Sequence, residues 1–364
     1  MKKDKTSMPL RCFREEEPKN DRNFNIAREF EYLLEKENAK PWTRKIGHYH
    51  PSSIRGCKRS MYYDRIGSDP KPRIHADLRM LFDMGHALHG MVQEYLAQIE
   101  GFEPEVAIEF EPLNLYGHCD GVFRIQDWVL EIKTVGESVY RTLVQPKTDH
   151  IWQIHCYMGA LSLTHALVVV VNKNTSEIYS EIIEFDPEIW EKAQEKARRI
   201  ICSDTPPPPS RSESDWRMKN ESSVYQDVYF KRRLPQSVNC RNCINSKPVV
   251  ESHGATWYCS RSKRALTSEE QHAGCDDHLW IPALVNADHL PDESTEDEVA
   301  YRVGIKKIFN VISSKRGEYR YSSCEMRELS KASFDLEMIE NMEPIRNEFD
   351  GTYVEVKDET TIPF

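Results

Sequence analysis

Apolar and polar positions alternate or recur along this chain with periods that mark out its elements. Residues 77–100 carry Leu81, Gly85, Leu88, Val92, Tyr95, Leu96 and Ile99 at helical spacing, which predicts one long amphipathic helix. A glycine in mid-helix costs stability, so Gly85 is expected where a neighbouring element comes close. Residues 103–110 alternate as a strand, and a second alternating run follows at 118–125. A short turn at Gln126 and Asp127 leads into a third strand over 128–133, so the last two strands form a hairpin. Asp149 is then placed to cap a helix running to Leu163, with Ile151, Ile154, Met158 and Leu161 on its core face. The unbroken apolar run 166–171 reads as a buried central strand, 178–185 as a further strand, and Pro187 opens a helix ending at Ile201. Upstream, residues 24–34 show a helical pattern. Ser52 or Ser53 is placed to cap a short helix bearing Cys57, Arg59, Tyr62 and Tyr63. The order of helix, three strands, helix, two strands and helix predicts one α/β domain over residues 23–202.

Within that frame a few side chains point to chemistry. Period 2 puts Glu131 and Lys133 on one face of their strand, and the hairpin brings Asp120 beside them. Two carboxylates and a lysine together suit a divalent cation and a phosphate. An E-x-K pair is also a common surface feature of strands, and what surrounds it decides between the two readings. His89, one turn beyond Gly85, is either a satisfied histidine beside the apolar face or a third metal ligand. His86 faces away. Gln153 and Tyr157 share a second face of their helix at i, i+4.

The 364 residues fit one large domain with appendages, or two to three smaller ones. No apolar run reaches transmembrane length and MKKDKTSMPLRCFREEE is not a signal peptide, so the expectation is a soluble, cytoplasmic protein with no membrane partner. A net charge of −10 argues against sequence-independent coating of DNA and leaves room for a local basic channel. Residues 1–22 are charged and expected to be disordered, and 203–223 read as a stiff, polar linker. Residues 224–282 hold a cysteine-rich module, Cys240, Cys243, Cys259 and Cys275, in the pattern C-x2-C-x15-C-x15-C-x2-H. In an intracellular chain that spacing signals metal rather than disulfides. Residues 283–364 begin acidic and continue with two or three short strands and a helix over 325–333. They read as an interaction or capping module to which a recombination or replication protein can dock.

Gly85-x3-His89, Gly117-His118-Cys119-Asp120, Glu131-Ile132-Lys133 and Gln153-x3-Tyr157, in this order over roughly residues 50–200, resemble the RecB-like branch of the PD-(D/E)XK nucleases. The resemblance implies a restriction-endonuclease-like core, a mixed central sheet flanked by helices. It implies that His89, Asp120 and Glu131 bind Mg²⁺ or Mn²⁺, that Lys133 positions the attacking water, and that Gln153 and Tyr157 hold the site and nearby DNA backbone. The activity implied is a metal-dependent DNA nuclease, an exonuclease of recombination, repair or phage DNA processing, in the host cytoplasm if phage-encoded. Cas4-like trimming of spacer precursors and an inactive DNA-binding scaffold on the same fold are the alternatives. Members of this branch also hold a 4Fe–4S cluster through one cysteine before the core and three after it. Cys57 resembles the first, beside a DNA-contacting Arg59, and Cys240, Cys243 and Cys259 the others. The gap between Cys243 and Cys259 is longer than usual there, and Cys275 completes a self-contained zinc site instead. Thiolates suit either metal, and the compactness of the module favours zinc.

Overall fold

The computed structural model describes residues 25–38, 49–66, 76–110, 115–143, 145–219, 221, 223–251, 254–331, 337 and 339–341. The expected disorder of residues 1–22 and the end of the C-terminal segment lie outside them. In chain order the described helices are α1 (Ile26–Asn38), α2 (Lys58–Arg65), α3 (Ala76–Leu96), α4 (Glu137–Tyr140), α5 (Thr148–Leu161), α6 (Pro187–Ile201), α7 (Trp216–Lys219), α8 (Ser223–Tyr229), α9 (Ser268–Ala273) and α10 (Ser323–Ser330). The strands are β1 (Phe102–Phe110), β2 (Leu115–Phe123), β3 (Trp128–Val135), β4 (His165–Asn172), β5 (Ile178–Glu184), β6 (Ser246–Glu251), β7 (Gly254–Cys259), β8 (Arg264–Leu266), β9 (Asp288–His289), β10 (Glu298–Val303), β11 (Lys306–Val311) and β12 (Arg320–Tyr321). Among the described residues no helix is long and apolar enough to cross a membrane.

The chain divides into two compact units. The first comprises Met1–Lys45, Pro72–Ile108 and Gly117–Pro187. It is built on a five-stranded mixed sheet in the order β1-β2-β3-β4-β5, with helices against it, as the period-2 runs predict. β2 and β3 are the antiparallel hairpin, paired Gly121↔Leu130, Val122↔Val129 and Phe123↔Trp128. β4 runs parallel to β3, and β5 antiparallel to β4. A parallel neighbour needs a crossover, which α5 supplies. Leu130 and Ile132 join Phe123, Val169 and Val171 in a core onto which Val92 and Leu96 of α3 pack. Strand alternation therefore sends Glu131 and Lys133 to the opposite face.

Two local expectations are corrected. No serine caps α2. Cys57 is its N-cap residue, while Pro51–Ser53 form a separate 3-10 turn. Lys147, not Asp149, occupies the N-cap of α5, and Asp149 lies in the first turn, where its charge suits the helix dipole. Gly85 is also less crowded than its position implies. Among the described residues a Cβ there would meet only the Thr134 hydroxyl, at 3.6 Å, an ordinary contact. Gly85→Ala is therefore expected to raise stability by about 0.5–1 kcal/mol in urea unfolding. Gly121 is the glycine that close packing requires. A Cβ would fall 2.4 Å from the Phe102 ring and 3.0 Å from the Glu103 carbonyl oxygen. Gly121→Ala is expected to cost about 1–3 kcal/mol in the same measurement; a neutral outcome would mean that Phe102 yields freely.

The second unit comprises Ile46–Lys71, Glu109–Tyr116 and Glu188–Phe364. It contains the three-stranded sheet β6-β7-β8 and the four-stranded sheet β12-β11-β10-β9. A buried polar network crosses the 282/283 boundary read from the sequence. Asn310 Oδ1 accepts the Trp280 amide at 2.7 Å, Ser323 donates to the His278 carbonyl at 2.7 Å, and Trp280 Nε1 donates to the Ser323 carbonyl at 2.9 Å. Unpaired groups of this kind are costly in a core, so the network locks β11 and α10 to the end of the cysteine-rich stretch.

Candidate active site

In the first unit four of the expected residues converge on the hairpin. Asp120 is fixed by the backbone, one carboxylate oxygen accepting the Ile132 amide of the partner strand at 2.5 Å. Its other oxygen lies 3.7 Å from His89 Nδ1, which α3 brings in. Glu131, only 1% exposed, forms an ion pair with Lys133 on the same face of β3. Burial pushes the Glu131 carboxyl above the usual carboxylate range; Lys133 opposes that shift and Asp120 adds to it. Two carboxylates, a lysine and an imidazole thus share a half-buried recess. Its acidic charges outnumber its one permanent cation, a balance that a divalent ion corrects.

Gln153 and Tyr157 stand on α5, and Gln153 Nε2 donates to the Tyr157 hydroxyl at 2.9 Å. Tyr157 is 4% exposed, and its ionisation is opposed by burial and then by the Glu131 carboxylate. It therefore lies on the buried side of the site, near Glu131. His150, one turn earlier, is held neutral to about 4, by burial and then by Lys133 and Lys147. Cys119 and Cys156 are fully buried, and burial pushes both thiols up to about 12.

Gln93 is a member of this site that sequence reasoning missed. One turn past His89, its amide nitrogen donates to the Asp120 carbonyl at 2.8 Å and to Glu105 at 2.7 Å. It ties the helix carrying His89 to the strand carrying Asp120, from a backbone at Glu105 with φ +50°. Its signal was faint: a polar side chain between Val92 and Leu96, both on the core-facing side of α3.

The second unit holds the other expected site residues. Arg59 is 4% exposed. Its guanidinium donates to the Tyr229 and Pro207 carbonyls at 2.5 and 2.6 Å and lies over the Tyr63 and Tyr229 rings. The guanidinium thus ties α2 to residues far along the chain in the second unit. Cys57 receives the Ser210 hydroxyl at 3.0 Å and lies 3.3 Å from the Tyr229 hydroxyl. Burial raises its thiol, but these bonds outweigh burial and bring it to about 7. Cys240, Cys243, Cys259 and Cys275 are all free thiols. Among the described residues no three His, Cys, Asp or Glu side chains are already gathered closely enough to hold a metal ion.

No protein-family model matches the chain, and no curated protein does. Over about half of its length its structure is similar to the alkaline exonuclease LHK-Exo from Laribacter hongkongensis, with 12% sequence identity, 48% of this chain and 90% of that one covered, and a TM-score of 0.35. For LHK-Exo in complex with dAMP the values are 14%, 43% and 87%, and 0.36. For a phage-related exonuclease from Haemophilus somnus 129PT they are 14%, 42% and 91%, and 0.28.

Proposed function

We propose that this protein is a Mg²⁺- or Mn²⁺-dependent deoxyribonuclease of the PD-(D/E)XK type, an exonuclease acting in DNA recombination, repair or phage DNA processing. The observation that carries the reading is the convergence of Asp120, Glu131, Lys133 and His89 on one hairpin. Separate stretches of chain supply them, and each had been singled out for the same chemistry from the sequence.

The donor set fits a hard divalent cation: carboxylate oxygens of Asp120 and Glu131, with the His89 imidazole at the edge. Such an ion, when bound, neutralises charge on a scissile phosphate and acidifies water. Asp120 is oriented for this by the Ile132 amide, which occupies one carboxylate oxygen and leaves the other facing His89. Lys133, steered by Glu131, orients the attacking water and offsets the negative charge that builds on the phosphate. Gln153 and Tyr157 support the buried side of the Glu131 carboxylate. Gln93 keeps α3 and β2 in register at the metal side.

The test is incubation of the full chain with end-labelled linear DNA and with closed circular DNA, in Mg²⁺, Mn²⁺ or a chelator. Linear DNA is expected to be degraded from its ends, closed circles to persist and the chelator to stop the reaction. Cutting of closed circles would replace exonuclease by endonuclease. No cleavage of linear or circular, single- or double-stranded DNA with either metal would overturn the proposal.

A further inference from the structure

The nuclease reading leaves the cysteines of the second unit unused, although backbone pairing delivers four of them to one place. Cys240 opens the 3-10 turn Cys240–Asn242, and the Cys243 amide closes it on the Cys240 carbonyl at 3.3 Å. Both thiols of the C-x2-C pair therefore hang from one turn. Three residues on, Ser246 pairs with Cys259 across β6 and β7, and the Ser260 amide donates to the Asn245 carbonyl at 2.8 Å. The end of β7 is thereby returned to the Cys243 side of the turn. Cys275 comes from beyond α9. Gly274, at φ +67°, presses its backbone against the chain that leads into Cys240, so that a Cβ would sit 2.8 Å from the Val238 carbonyl oxygen and 3.2 Å from Asn239 Cα. That contact sets Cys275 beside Cys240.

The side chains agree with the backbone. The Cys240 thiol donates to the Glu270 carbonyl of α9 at 3.5 Å, on the side from which Cys275 comes. Cys259 Sγ accepts the Ser262 amide at 3.4 Å, a bond that stabilises a thiolate. His278 takes no part: its ring nitrogens lie 2.8 Å from Ser323 Oγ and 2.8 Å from Asn242 Oδ1.

Cys57 does not fit a shared iron–sulfur cluster with these residues. Asn239 and Asn242, on the Cys240 turn, donate to the Ile66 carbonyl at 2.9 and 3.3 Å, and Ile66 ends α2. Cys57 begins that helix, roughly 13 Å away along its axis at 1.5 Å per residue. Its thiol is engaged there by Ser210 and Tyr229.

We propose that Cys240, Cys243, Cys259 and Cys275 form a tetrahedral site for a single thiophilic divalent cation, Zn²⁺, with Cys57 outside it. Binding replaces the thiol protons, which leave to solvent, and draws the sulfurs inward by side-chain rotation on a backbone frame already in place. The ion staples β6, β7 and the α9 loop to the Cys240 turn.

The test uses the full chain purified without oxygen and needs no DNA. One equivalent of zinc per chain is expected. Exchange with Co²⁺ should give the intense visible bands and thiolate charge transfer of a tetrahedral all-sulfur site. Cys57→Ser should leave that spectrum unchanged, and Cys275→Ser should weaken the charge transfer. The wild-type and Cys57→Ser spectra decide the matter even if a ligand variant fails to fold. A brown protein with iron and sulfide that loses its colour in Cys57→Ser would overturn the proposal. So would a chain that binds neither Zn²⁺ nor Co²⁺ under reducing conditions.

Discussion

Lys133→Ala is expected to lower the rate of DNA hydrolysis by about 10²–10³-fold, the cost of removing one preorganised charge from a developing oxyanion. Asp120→Ala should leave no measurable cleavage, because it removes both a proposed metal ligand and the group that fixes the Ile132 amide. Loss of activity alone would not separate chemistry from folding, and Glu131 supplies the distinction. Its carboxyl is buried, and burial raises its folded-state pKa above the ordinary value. A carboxylate shifted in that direction stabilises the fold only at acid pH, where it is protonated. At neutral pH its charge is a net cost to the metal-free protein. Glu131→Gln is therefore expected to raise the Tm of the metal-free protein while abolishing cleavage. Wild type should gain further Tm when Mn²⁺ is added, and Glu131→Gln should not. Equal Mn²⁺ shifts in both proteins would remove Glu131 from the metal site.

Much of this centre was legible because it rests on strand periodicity. A period of two leaves no choice about which side of β3 carries Glu131 and Lys133, and a four-residue connection leaves little choice about where β2 returns. The parallel β4 was readable for a related reason, since an unbroken run of Val and Leu suits a strand covered on both faces. The burial of Arg59 was not legible because it depends on Pro207 and Tyr229, well over a hundred residues downstream, and no local pattern encodes such partners. Gln93 escaped for the opposite reason: its partners are a backbone carbonyl and a carboxylate on a positive-φ residue, and neither changes the periodicity of α3. The serine caps failed because Ser53 donates back to His50 and Cys57 takes the cap position, a choice set by loop geometry. The separation of Cys57 from Cys240 needed the docking of Asn239 on Ile66, a tertiary contact.

The second large effect is expected in stability against pH, through His278. This histidine is buried to 2% exposure, and desolvation pushes its imidazole down to about 3. Asn242 fixes its tautomer. The Asn242 amide nitrogen donates to the Ser237 carbonyl at 2.7 Å, so Oδ1 is left to accept, and His278 Nε2, at 2.8 Å, carries the hydrogen. Nδ1 lies 2.8 Å from Ser323 Oγ. The folded state holds the ring neutral, while the unfolded chain protonates it near the ordinary value of about 6.5. Between about pH 6.5 and 3 the unfolded state thus binds the extra proton, and the sign is fixed: the full contribution is present above pH 6.5 and is lost as pH falls. The loss should reach the order of a few kcal/mol, since each pKa unit is worth about 1.4 kcal/mol. His278→Gln keeps hydrogen-bonding capacity without titrating. At pH 8 it is expected to be less stable than wild type by about 1–3 kcal/mol, for imperfectly remade bonds in the buried network. Its urea-unfolding stability should nevertheless fall less steeply than that of wild type between pH 6.5 and 4. Parallel slopes would show that the imidazole is not held neutral. In that case the link between the cysteine-rich stretch and α10 would have to depend on the other members of the network, Asn310, Ser323 and Trp280.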